Sequence, residues 1–349
     1  MTFTKFLNGL LQDMQLTGRE GTFDIYLATY RSVLAFAGNP LITLKEVFTK
    51  EFLHQYQTHL LDKGRCYNTI SAYMRVLRAI RNKAERQRSI TTVPDLFDNL
   101  YTGIEPTRKR AMTAEAILKV NDVDLSDHAH LIMSRDLFML SFHLQGISFI
   151  DLAHLRKTDL KKGYITYHRR KTGGLIEVEV LLPARKLLDQ YISKNQNSPY
   201  LLELLTGTAK EPKKEYKTLL RRYNRHLKII AGISGIEENL TSYVARHSWA
   251  TAAYHIGVPT TMISEAMGHK TEEVTRIYLA AFKTETLAHA NKMVLEAVFE
   301  GKTTEKQGRE IKEKRQKRWQ ENVSFLARKG HESDAKLKRT MQIRKHTVS

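Results

Sequence analysis

Apolar residues recur at helical spacing through most of the chain. Between Leu44 and Leu61 they fall at Val47, Phe48, Phe52, Leu53, Tyr56, Leu60 and Leu61, which predicts one amphipathic helix. Asp62-Lys63-Gly64 supplies the stop, with glycine suited to the left-handed position after a helix. The next helix is predicted to start near Asn68 or Thr69, either of which can cap it. Ile70, Met74, Leu77, Ile80 and Ala84 mark its buried side, and Arg75, Arg78 and Arg81 form a neighbouring stripe. That stripe is either a solvated charged face or a set of phosphate contacts, and the second reading is preferred. Residues 1 to about 88 thus read as helices.

The pattern changes after residue 88. Thr91-Thr92-Val93-Pro94 and Ile104-Glu105-Pro106-Thr107-Arg108-Lys109-Arg110 combine prolines, threonines and a basic cluster. Proline disfavours helix at the residue before it, so an extended linker is predicted. Arg108, Lys109 and Arg110 would follow a duplex backbone between two gripping domains. Helical spacing resumes from Thr113 to Leu144. A β-hairpin is then predicted: Gly163 to Lys171, a Thr172-Gly173-Gly174 turn, and Leu175 to Val180. Strand alternation sets Ile165, Tyr167, Arg169 and Lys171 on one face, with Lys171 at the tip beside Arg169. Helical signals return from Pro183, and Leu287, Val294, Leu295 and Val298 continue them over 284–299. The expected class is mainly α with a small β-hairpin. The expected division is a helical DNA-binding domain over 1–90, a basic linker over 91–112, a second domain over 113–299 and a basic tail over 300–349.

Charge narrows the choice of partner. The 349 residues hold 56 Lys and Arg against 37 Asp and Glu, a formal net charge of +19. Fifteen of those cations, against six acids, lie beyond residue 300, so the tail reads as a partly helical or disordered basic extension. A polyanion is the natural partner of such a chain, double-stranded DNA above all. A hydrophobic content of 42% excludes global disorder. Cys66, the only cysteine, excludes an intramolecular disulfide framework and a cysteine zinc cluster. The N-terminus lacks a signal-peptide profile, and no stretch approaches the ~20 apolar residues that span a bilayer. No membrane partner is expected, and the expected location is the cytoplasm.

The candidate chemistry lies in the C-terminal half. Arg246 is followed after 23 residues by His269 and after nine more by Tyr278. Arginine neutralises phosphate oxygens, histidine donates a hydrogen bond or a proton, and tyrosine is a usable covalent nucleophile. Strand cleavage by a tyrosine also needs an acid for the leaving 5′ oxygen, a role Lys171 can fill. The phosphotyrosyl bond keeps the energy of the broken diester, so rejoining needs neither ATP, metal nor another cofactor.

These words, Tyr243-Val244-Ala245-Arg246, Gly268-His269 and Tyr278, resemble the C-terminal half of the tyrosine recombinase (phage integrase) family. Asn68-Thr69-Ile70 and the arginine helix after it resemble the family's helical core-binding domain, so the resemblance covers roughly residues 3–285. Tyr243-Val244-Ala245-Arg246-His247-Ser248-Trp249-Ala250-Thr251 looks most like integrases of Bacteroides-type mobile elements. The resemblance implies a SAM-like helical core-binding domain followed by the catalytic domain. It also implies a 3′-phosphotyrosyl intermediate, and a protein that is a monomer in solution and a tetramer on DNA. Integration, excision or inversion would be the outcome. The chain opens almost directly on the core-binding domain, which points to a reaction with few accessory sites.

Two positions depart from the family pattern. Tyr243 stands where the box histidine is usual, and tyrosine is a poor general base near neutral pH. In Gly146-Ile147-Ser148-Phe149-Ile150-Asp151, Ser148 stands where the family's first arginine is usual. Ser148 and Asp151 read instead as a capping box for a helix through Leu155. Losing one charge-stabilising donor costs roughly 100- to 1,000-fold in rate, about 3–4 kcal/mol, so an active enzyme needs a replacement. Arg169 is the preferred one; Arg170 should point the other way, and Arg135 and Arg156 have less reason to reach the phosphate. His247 is expected to orient Arg246 without touching the phosphate itself. The rival readings are a degenerate recombinase that binds DNA without cutting it, and an enzyme resembling type IB topoisomerases.

Overall fold

The computed structural model describes residues 1–91, 93–106 and 110–279, with 291, 292 and 295; of Glu20 and Tyr278 it describes the backbone alone. The chain divides into two compact units, Met1–Arg108 and Lys109–Ser349.

The first unit is helical: α1 (Phe3–Leu16), α2 (Glu20–Ala37), α3 (Leu44–Val47), α4 (Lys50–Asp62) and α5 (Tyr67–Arg86). Phe3, Phe6, Leu7, Leu10, Leu11 and Met14 fall three or four apart, and α1 buries all of them. The helix predicted over Leu44–Leu61 is two helices. The Thr49 hydroxyl accepts from Phe52 N at 3.2 Å and starts a new helix after Phe48. Thr43 and Glu46 form a reciprocal capping box on the short α3. The stop after Asp62 is found where expected, with Gly64 at φ +65°. Helix α5 begins earlier than predicted, at Tyr67, with Cys66 as its N-cap residue. The Thr69 hydroxyl sits 3.2 Å from Cys66 Sγ, and the Asn68 side chain is used elsewhere.

That other use changes the reading of the linker. Asn68 donates from Nδ2 to Glu105 O and accepts from Glu105 N, while Gln57 accepts from Tyr101 N. Leu96, Phe97 and Leu100 are buried in the core of this unit. Residues 96–100 are therefore packed into the first unit and Glu105 is tied to α5, while 103–106 are exposed. The arginine stripe is divided by the same packing. The Arg78 guanidinium lies over the Phe97 ring at 5.3 Å, and Arg81 donates to Val93 O at 2.8 Å while pairing with Glu85. Only Arg75 of the three is exposed. Arg110 is exposed as well, whereas Arg108 and Lys109 lie outside the described residues.

The second unit continues with α6 (Ala114–Asp122), α7 (Ala129–His143), α8 (Phe149–His154), β1 (Leu160–Lys161), β2 (Tyr164–His168) and β3 (Leu175–Glu179). It ends with α9 (Leu182–Tyr191), α10 (Pro212–Ile233), α11 (Val244–His255), α12 (Thr260–Ala266) and α13 (Glu272–Tyr278). Helix α7 is buried on several sides and packs against α9, α10 and α11. Its buried polar groups are satisfied: Asp136 accepts from Tyr191 Oη at 2.6 Å, and Ser141 donates to Ile147 O at 2.7 Å. The Ser141 bond fixes the turn from α7 into α8.

The three strands form one antiparallel sheet, β1-β2-β3, with Ile165 opposite Val178 and Tyr167 opposite Ile176. The first hairpin strand ends at His168, three residues short of the prediction. Arg169 still donates to Gly174 O at 2.8 Å, but its own carbonyl accepts from Gly173 N and closes a turn over 170–172. Lys171 thus sits in the turn and not on the strand face that Ile165, Tyr167 and Arg169 share. The segment 284–299, apart from the three isolated residues, and the tail over 300–349 lie outside the described residues.

The divided stripe makes a stability prediction. Arg81→Ala should cost about 1–3 kcal/mol by urea denaturation, because it frees a half-buried carbonyl and a carboxylate. Arg75→Ala should stay within about 0.5 kcal/mol. Equal losses would show that the arginines do not differ in this way.

Candidate active site

Arg246 lies in the first turn of α11, 1% exposed, and its helix places it between two loops. Its Nη1 donates to Gly146 O at 2.7 Å, and its Nη2 donates to Met267 O. A charged group this deep must be answered by hydrogen bonds, and backbone carbonyls supply them here. Both contacts depend on glycine. At Gly146, φ is +70° and a Cβ would stand 2.8 Å from Arg246 Cα. At Gly268, φ is +61° and a Cβ would stand 2.7 Å from Ile176 Cδ1. The glycine before His269 is thus required by backbone conformation and by close approach to the hairpin.

Arg169 reaches the same turn from the sheet. It is 3% exposed, and its Nη1 donates to Gly268 O at 2.7 Å. The Thr172 hydroxyl donates to that oxygen at 3.3 Å. Two arginines on separate elements therefore hold consecutive carbonyls, Met267 and Gly268. Arg169 Nε is buried with no hydrogen-bond partner among the described residues.

His269 completes the cluster. Its backbone N–H donates to Ser264 O at 2.9 Å. Its ring spans Arg246 Nη2, 3.2 Å from Nε2, and Thr275 Oγ1, 2.8 Å from Nδ1. Burial first, and then the charges of Arg246, Arg169, Lys171 and His247, push its pKa down to about 3. The ring is neutral at physiological pH. Lys171, exposed in the hairpin turn, belongs to the cluster through its charge.

The remaining candidates fall into place around this core. Tyr243 is half-buried at the N-cap of α11, with its ring 6.0 Å from that of His247. Tyr278 is the last residue of α13, three residues after Thr275. Ser148 occupies the N-cap position of α8 but makes no capping bond. Its hydroxyl donates instead to Asp151 Oδ2 at 2.6 Å, which corrects the capping-box reading. The other oxygen of Asp151 accepts from Arg170 N at 2.9 Å, fastening the turn that carries Lys171 to α8. Arg135 is engaged with Asp136. Among the described residues, no group of three or more His, Cys, Asp or Glu could hold a metal ion. Nor is any helix among them long and apolar enough to cross a membrane.

Thr275 and Asp151 are the residues whose contacts the sequence reading missed. A threonine one helical turn before the candidate nucleophile was the available signal for the first. Asp151 was noticed, but as a helix cap.

Comparison with known proteins gives the family. The model of the Phage integrase family matches residues 112–285, and that of the phage integrase SAM-like domain matches residues 2–96. The chain belongs to the phage integrase family of tyrosine recombinases. Among curated proteins it is similar to tyrosine recombinase XerD of Listeria innocua, 27% identical over 216 residues, 55% of this chain. The match spans 64% of that relative's length. A lambda integrase (75–356) dimer bound to a COC′ core site has a similar fold, with a TM-score of 0.59 and 17% identity. That match covers 80% of this chain and 95% of the other. The Tn1549 transposon integrase, solved in complex with circular intermediate DNA, gives a TM-score of 0.53 at 16% identity. It covers 84% and 99% of the two chains.

The neutral histidine has a consequence for acid stability. Below 6.5 an unfolded chain protonates this imidazole while the folded site resists until about 3. The stability contributed by neutral His269 is therefore complete above the unfolded value and is lost progressively as pH falls through that window. The melting temperature of the protein should fall more between pH 7 and pH 4 than that of His269→Gln. Parallel curves for the two would contradict the assignment.

Proposed function

We propose that this chain is a site-specific DNA recombinase that cuts and rejoins double-stranded DNA through a 3′-phosphotyrosyl intermediate. The observation that carries the reading is the convergence of Arg246, Arg169 and His269 on the 267–269 turn, which leads directly into the helix ending at Tyr278. The Tyr278 oxygen attacks the scissile phosphorus as its phenol proton passes to solvent water. The bond to the 5′ oxygen breaks, and that oxygen takes a proton from Lys171. Arg246 and Arg169 balance the negative charge on the non-bridging oxygens, with Arg169 in the role of the arginine missing at Ser148. Tyr243, at the usual histidine position, offers a hydrogen bond rather than a base. Attack of the freed 5′ hydroxyl of a second strand on the phosphotyrosine reverses these steps, so neither ATP nor metal is consumed.

The helical first unit and the second unit would grip the duplex from residues 1–90 and 113–299, joined through the basic segment within 91–112. Of the arginines and lysines read as phosphate contacts, Arg75 and Arg110 are exposed, which supports that role for them. Four copies would hold two sites for exchange, assembling from monomers on DNA, in the cytoplasm of the host. The resemblance to Bacteroides-type element integrases favours integration and excision or inversion of a mobile segment.

Ser148 also supports a second reading, a non-cleaving DNA-binding factor, because its hydroxyl is committed to Asp151. A nicked suicide substrate separates the two. The recombinase reading expects a covalent protein–DNA adduct on a denaturing gel that is absent with Tyr278→Phe. It also expects Arg169→Ala to lose roughly 100- to 1,000-fold in cleavage, as Arg246→Ala does. DNA binding without any adduct would favour the second reading, and near-normal cleavage by Arg169→Ala would remove that arginine from the site.

A further inference from the structure

Thr275 has no part in the chemistry above, yet its side chain is fully buried and meets the ring of His269. The direction of that contact follows from the partners. An arginine guanidinium has only donors, so His269 Nε2, 3.2 Å from Arg246 Nη2, must accept. A neutral imidazole with Nε2 accepting carries its proton on Nδ1, which donates to Thr275 Oγ1 at 2.8 Å. A hydroxyl can accept or donate, so Arg246 sets the tautomer, and the threonine, accepting from Nδ1–H, holds the ring in place. A partner on the far-side nitrogen is a general way to orient a histidine ring.

We propose that Thr275 is the positioning residue of this site, fixing the plane of the His269 ring and, through His269, the plane of the Arg246 guanidinium. This inference rests on the recombinase reading above. Arg246 Nη2 is shared between Met267 O and His269 Nε2, so the ring limits how the guanidinium can rotate. Thr275 also lies on α13 one turn before Tyr278. The hydrogen bond therefore ties the helix that ends at the nucleophile to the residues that hold the phosphate. When α13 leaves its place, His269 loses the partner that holds its ring, and the ring is free to turn away from Arg246. The bond thus links seating of the nucleophile helix to orientation of the arginine.

Two variants and one spectrum test this. Valine at 275 keeps the volume and removes the hydroxyl; serine keeps the hydroxyl and removes a methyl group. In protein carrying nitrogen-15 histidine, with His269 assigned by comparison with His269→Gln, the ring should show a protonated Nδ1 and a bare Nε2. Thr275→Val should keep that tautomer but lose the downfield, slowly exchanging Nδ1 proton of the bond to Oγ1, and Thr275→Ser should retain that proton signal. On the nicked suicide substrate, Thr275→Val should form adduct about 10- to 100-fold more slowly, the usual consequence of losing one buried hydrogen bond. Its DNA affinity should stay within about threefold, and Thr275→Ser should cleave within about threefold of the unmodified protein, since it keeps the hydroxyl. The proposal is overturned if His269 carries its proton on Nε2, if Thr275→Val cleaves normally, or if Thr275→Ser is as slow as Thr275→Val. Should the unmodified protein form no adduct, the recombinase reading fails, and the spectra still decide whether Thr275 holds the His269 ring.

Discussion

The second unit depends on one buried cation. Arg246 is almost wholly withdrawn from water, and the groups that answer it are the carbonyls of two separate loops, Gly146 before α8 and Met267 after α12. Leaving a charged donor unanswered at such depth costs several kcal/mol, of order the whole contribution of a buried side chain. The two loops are consequently held in single conformations, and the glycines at 146 and 268 are the residues that allow the approach. A guanidinium fixed in this way pays little reorganisation when an anion arrives, which is the physical basis of preorganised charge stabilisation.

Arg169 extends the arrangement by holding the next carbonyl along, that of Gly268, from the end of β2. Arg246, Arg169 and Lys171 then surround a ring whose proton affinity they depress together with burial. A cationic cluster of this kind is destabilising alone and is relieved by an anion. Asp151 lies at the edge of the cluster, and both of its oxygens serve the frame: one accepts from Ser148 and the other from the turn carrying Lys171. Ser148 is therefore part of the scaffold.

The sequence revealed the candidate set more fully than it revealed the frame around it. Arg246, Gly268-His269 and Tyr278 were readable as candidates because their residue types suit phosphodiester chemistry and their order resembles the family's. The alternation of Ile165, Tyr167 and Arg169 was readable because strand period is two. The break after Phe48 was hidden because the apolar stripe runs through it, and only the hydroxyl of Thr49 decides that a new helix begins. Residues 93–106 read as linker from their prolines and polar residues. Leu96, Phe97 and Leu100 nevertheless find a core that is made by residues distant in sequence. The internal use of Arg78 and Arg81 follows from that packing and could not be read from α5 alone. Ser148 bonds the Asp151 side chain of its own helix in place of a backbone N–H, and the other Asp151 oxygen is taken by Arg170 N from the hairpin turn.

The central claim is that Arg169 and Arg246 jointly balance the charge of a scissile phosphate. It is tested most directly by removing that charge from the DNA instead of from the protein. A suicide substrate with a neutral methylphosphonate at the scissile position lacks the non-bridging negative oxygen that the arginines are held to balance. On this substrate the deficit of Arg169→Ala relative to the unmodified protein should shrink from roughly 100-fold or more to within about tenfold. An equal deficit on the methylphosphonate and on ordinary DNA would contradict the account, leaving Arg169 as a structural brace for the Gly268 turn.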